Sequence, residues 1–139
     1  MTDFEFQVEN FMLYCTSRNL AKKTLSSYEQ TLKLLGVYLK EHFQIEDAKR
    51  VQSGHIRQYV KNTQERGKYT VVSDARSKQK NFPENRTDFN KPISSVTIAN
   101  YVRNIKVFFN WLHKTEREIS KNPTEMIENP KIHRKVKKH

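Results

Sequence analysis

Apolar residues recur along residues 3–17 at Phe4, Val8, Phe11, Met12 and Cys15, one face of an α-helix with Asp3 placed to cap it. After a short link, "RNLAKK", residues 24–42 repeat the rhythm with Leu25, Tyr28, Leu32, Leu35, Leu39 and Phe43. Gly36 sits beside that seam, where it weakens the helix, so its expected use is the close approach of a crossing helix. A third helix is expected from Ser53 as N-cap to near Gly67, burying Ile56, Tyr59 and Val60. Residues 68–93 lose the helical period and hold two prolines, which predicts a long loop with "YTVV" as its candidate strand. The fourth helix, 95–114 with Ser94 or Ser95 as its cap, contains "TIANYVRNIKVFFNWLHK". Asn122 as N-cap, Pro123 at the first helical position and Glu125 then predict a short fifth helix that Pro130 ends. The pattern as a whole predicts an all-α fold with four main helices.

Two of these helices resemble each other. Laid over residues 97–114, residues 24–41 match Thr24 with Thr97, Leu25 with Ile98, Tyr28 with Tyr101, Leu32 with Ile105, Lys33 with Lys106 and Leu39 with Leu112. Both also carry a polar flank of short side chains, Thr24, Ser27 and Thr31 in one and Thr97, Asn100 and Asn104 in the other. The shared apolar arc is what amphipathic periodicity allows in any pair of helices. The flank is less ordinary, because Thr, Ser and Asn are mediocre helix formers and a merely solvated face favours Glu, Lys and Gln. Short hydrogen-bonding side chains beside Lys and Arg suit a helix lying in a DNA groove, since they reach phosphates and base edges without holding the helix away. The candidate DNA-binding residues are therefore Lys22, Lys23, Thr24, Ser27 and Thr31 on the second helix. On the fourth they are Thr97, Asn100, Arg103, Asn104 and Lys106, with Thr24 and Thr97 open to a capping role as well. Val107 and Trp111 fall outside the main arc and are expected to pack under the fifth helix or the long loop.

Charge sharpens this picture. The 139 residues carry a net charge of +11, with 35% hydrophobic and 11% aromatic residues, enough for one globular domain and strongly basic for its size. A polyanionic partner follows, nucleic acid before an anionic membrane. Arg66 to Lys91 holds seven Lys/Arg against three acids, and the tail "KIHRKVKKH" holds five Lys/Arg and no acid. A single cysteine, Cys15, rules out an intrachain disulfide and fits a reducing, cytoplasmic setting with a buried, inert thiol. No apolar run is long enough to span a membrane.

"LAKKTLSSYEQTLKLLGVYL" followed by "SSVTIANYVRNIKVFFNWLHK" and "ISKNP" resembles the N-terminal core-binding domain of tyrosine recombinases, the phage-integrase and Xer-like group. The resemblance covers about residues 4–132. It implies a compact four-helix, SAM-like domain over residues 1–130, with two helices crossing near the DNA major groove. It further implies that 131–139 begins a linker to a separate catalytic domain carrying the nucleophilic tyrosine. Partners would be double-stranded DNA and, on DNA, other recombinase protomers, with the isolated domain monomeric. The long 68–93 segment departs from the family's shorter connection.

Catalytic chemistry finds no support in the residues. The six tyrosines lie in no family catalytic motif, the five histidines show no paired ligand spacing, and the three glycines form no phosphate-cradling loop. The expectation is a domain that binds DNA and does not cut it, with no cofactor and no metal. Two alternatives stay open at this point: a standalone helical DNA-binding regulator, although no tight helix-turn-helix is present, and a basic protein-interaction module.

Overall fold

The computed structural model describes residues 1–68, 70–71 and 89–132. Four α-helices follow in chain order: α1 (Asp3–Ser17), α2 (Lys22–Phe43), α3 (Ser53–Glu65) and α4 (Ser95–Asn110). Among the described residues the only β-type pairing is an isolated bridge between Gly67 and Pro92, so the fold is all-α, as the apolar periodicity predicts. α1 lies along α2, α2 packs on α4, and α3 touches both α2 and α4. Most of the 68–93 loop, including Tyr69 and Val72 of "YTVV", and the tail from His133 onward lie outside the described residues.

The core forms where the seams meet. Phe4, Val8, Phe11 and Cys15 of α1 are buried against Leu32, Leu35 and Leu39 of α2 and Ile105, Phe108 and Phe109 of α4. Phe108 lies at the centre, edge-on to Phe4, Phe11 and Phe109 with ring centroids 5.7, 5.4 and 5.1 Å away. Gly36 lets the Phe4 ring of α1 close in, since a Cβ there would stand 3.2 Å from it. Burial pushes the Cys15 thiol upward and holds Tyr59 up to about 12.

The helix ends differ from the expected ones in instructive ways. Thr2, not Asp3, caps α1 by accepting from Glu5 N at 3.1 Å. Asp3 instead accepts from Ala48 N at 2.9 Å and ties α1 to a 3₁₀ turn, Ala48–Arg50. Gln52 rather than Ser53 caps α3, in a reciprocal pair where Gln52 N donates to His55 Nδ1 at 3.0 Å. Gly67 is not a left-handed helix cap. It allows close approach, because the chain ends around the loop are pinched by Lys68 N donating to Lys91 O and Asn90 N to Lys68 O, both at 2.8 Å. A Cβ on Gly67 would sit 2.5 Å from Asn90 Cα.

Ser94 caps α4 by accepting from Thr97 N at 3.2 Å. Ser94→Ala should therefore lower stability by about 1 kcal/mol, readable as a lower denaturation midpoint; an unchanged midpoint would show that the cap carries no stability. The α-helical ladder stops at Asn110 and continues as one π-helical turn, Trp111–Thr115, closed by Glu116 N donating to Trp111 O at 3.0 Å. Expected under a fifth helix or the long loop, Trp111 meets no fifth helix among the described residues. It lies on α1, 5.4 Å from the Phe11 ring and 5.7 Å from the Tyr14 ring, while Val107 is half-buried against the same core. The expected fifth helix is replaced by turns, with Glu125 N donating to Asn122 O and Ile127 N to Thr124 O. Only six residues separate Pro123 from Pro130, too few to repay helix nucleation.

Candidate nucleic-acid interface

The two polar flanks are joined by a hydrogen-bonded contact between the helices. Asn104 Nδ2 of α4 donates to Ser27 Oγ and to Thr31 Oγ1 of α2, both at 3.0 Å, and Thr31 Oγ1 donates to Ser27 O at 2.8 Å. Thr31 and Asn104 are the residues that the repeat makes equivalent, so the similar helices meet at matching positions. Thr31 is 1% and Asn104 3% exposed, which corrects their assignment to a DNA-facing surface. Their polar atoms are spent on each other and on Ser27, and a buried amide or hydroxyl demands such partners.

The rest of the flank divides around this contact. Ser27 stays exposed, and so does Lys23 one turn before it. Asn100 and Arg103 lie one turn and one residue before Asn104, with Arg103 Nη2 donating to Asn100 Oδ1 at 2.8 Å. Lys23 and Ser27 thus share one side of α2, and Asn100 and Asn104 one side of α4, with Arg103 next to them in sequence. Thr24 stands in the first turn of α2, half-buried and outside the cap, whereas Thr97 Oγ1 accepts from Ser94 Oγ at 2.9 Å within the cap of α4. Lys22 is exposed at the first position of α2. Lys106 lines a separate cleft with Asn110, His113 and Lys114, three residues the sequence pattern did not single out although they continue its spacing.

Electrostatics set these cations apart. Ion pairs among the described residues join Lys33 with Glu29, Lys40 with Glu46 and Lys61 with Glu65, leaving Lys22, Lys23, Arg103 and Lys106 without a carboxylate partner. α2 has no side-chain cap at Ala21 and no acid in its first turn. Lys22 and Lys23 thus stand at the positive end of the helix dipole, which opposes helix stability. Among the described residues no group of His, Cys, Asp and Glu is placed to hold a metal ion, and no helix is long and apolar enough to cross a membrane.

A family model described as phage integrase, N-terminal SAM-like domain, matches residues 8–82. The chain belongs to this family. The match takes in most of α1 and all of α2 and α3, and α4 lies beyond it. No curated protein and no solved structure matches the chain. Membership of the phage-integrase SAM-like family ties the chain to the tyrosine recombinases as a class.

Proposed function

We propose that this domain grips duplex DNA through the adjoining polar faces of α2 and α4 and so supports site-specific recombination or integration by a tyrosine recombinase. The observation that carries the proposal is the Ser27–Thr31–Asn104 contact, which joins the two polar flanks where Lys23 and Arg103 have no carboxylate partner among the described residues. Lys23 and Arg103 supply charge to phosphates, while Ser27 and Asn100 supply short donors and acceptors to phosphates or base edges. The uncapped N-H groups of the first turn of α2, with Lys22 and Lys23 beside them, suit a phosphate that would offset both the missing cap and the adverse dipole. The domain binds and leaves strand cleavage to a separate catalytic unit.

Four single substitutions test this: Lys23→Ala, Ser27→Ala, Asn100→Ala and Arg103→Ala. Each should weaken duplex binding. Lys23→Ala, Asn100→Ala and Arg103→Ala should leave the melting temperature near that of the parent, while Ser27→Ala should lower it as well, because Ser27 Oγ accepts from the buried Asn104 amide. A lost base contact costs about 1–3 kcal/mol of discrimination between sites. A lost phosphate contact weakens all sequences alike and lowers the salt slope by about 1. Parent-like DNA affinity in all four would make this face a solvated surface and leave the basic protein-interaction module as the better reading.

A further inference from the structure

The C-terminal half of α4 and the π-helical turn that follows carry a polar line that the crossing with α2 does not use. Arg103, Lys106, Asn110 and Lys114 follow at intervals of three, four and four residues, so they share one side of the helix. That run rises about 16 Å, about half the ~34 Å turn of B-form DNA. Past Arg103 the line opens into a cleft of about 240 Å³, lined by Lys106, Asn110, His113 and Lys114 and, from the turns that follow, by Asn122 and Thr124.

The cleft is built by hydrogen bonds. Asn122 Nδ2 donates to Asn110 Oδ1 at 2.6 Å, and Asn122 Oδ1 accepts from Thr124 N at 2.9 Å and from Thr124 Oγ1 at 2.8 Å. Both amide carbonyls are thereby occupied, while the Asn110 amide N-H groups stay available. Lys106 and Lys114 have no carboxylate partner among the described residues. His113 sits on the π-helical turn with its Nδ1 buried and without a hydrogen-bond partner. Glu125 is the one acid in the lining. Glu125 apart, a lining of donors with both amide carbonyls engaged fits a phosphodiester, which presents only acceptor oxygens; base edges mix donors and acceptors.

The geometry points to a second DNA-backbone site in this cleft, where Lys106, Asn110, His113 and Lys114 hold a phosphodiester beyond the groove contacted at the α2–α4 crossing. This rests on the reading that the domain binds duplex DNA, and it adds affinity without sequence preference.

The test measures salt-dependent binding of two duplexes of unrelated sequence to the full chain and to its Lys114→Ala, Glu125→Gln and Arg103→Ala variants. The Asn110 and Asn122 side-chain amide signals are followed by NMR as a short duplex or inorganic phosphate is added. Lys114→Ala should weaken both duplexes by the same factor, lower the log–log salt slope by about 0.9 and leave the melting temperature unchanged. Glu125→Gln should strengthen both duplexes, and duplex should shift both amide signals. An unchanged slope in Lys114→Ala with unmoved amide signals, while Arg103→Ala still weakens binding, would overturn the second site alone. Signals moved by inorganic phosphate but not by duplex would make it a free-anion site and overturn it too. Absence of duplex binding by the parent chain at low salt would remove the DNA reading itself and the second site with it.

Discussion

Phe108→Ala is expected to lower the unfolding free energy by about 3–5 kcal/mol. The side chain is fully buried and meets Phe4 and Phe11 of α1 as well as Phe109 and Trp111. Truncation removes the transferred apolar area, leaves a void between α1 and α4, and forfeits edge-to-face contacts of about 0.5–1.5 kcal/mol each. Domains of this size are stable by only about 5–15 kcal/mol. The variant should therefore melt far below the parent and lose DNA affinity only in proportion to the unfolded fraction. Urea denaturation at 25 °C measures this. A loss under about 1 kcal/mol would mean that α1 and α4 do not share this core.

The second large effect concerns the polar contact. Asn104→Ala should destabilise the domain by about 1–3 kcal/mol, because Thr31 loses a partner at a site closed to water and the crossing loses its bond to Ser27. The double change Asn104→Leu with Thr31→Val should recover part of that loss, since removing both partners costs less than stranding one. A double-mutant cycle reads the coupling directly. The expected split is lower stability with parent-like DNA affinity per folded molecule. The reverse split, unchanged stability with affinity reduced as in Arg103→Ala, would return Asn104 to the DNA face.

Asn104 and Arg103 are neighbours in sequence, yet one anchors the helix crossing and the other is exposed. Local pattern cannot separate them, because a polar side chain at the edge of an apolar arc can face either solvent or a partner helix. The same ambiguity moved Trp111. It lies outside the arc of an ideal α-helix, and only the contact with Phe11 and Tyr14 shows that α1 covers it. Lys106 matches Lys33 in the repeat but stands in a cleft whose far side comes from residues 122–125, which no pairwise overlay of helices contains.

The sequence by itself determined the four helices, their apolar seams and the basic character of the chain. Each of these depends on periodicity or composition, which act over one or two turns. It also carried the family resemblance, in the order and spacing of short motifs along "TLSSYEQTLKLLGVYL" and "TIANYVRNIKVFFNWL". Only the tertiary structure decided that the matched positions Thr31 and Asn104 face each other, and that the polar surface therefore splits into exposed residues at the crossing and a cleft at the end of α4. The physical reason is that hydrogen-bond partners 73 residues apart are chosen by how two helices cross, and that angle is set by the whole core rather than by either helix.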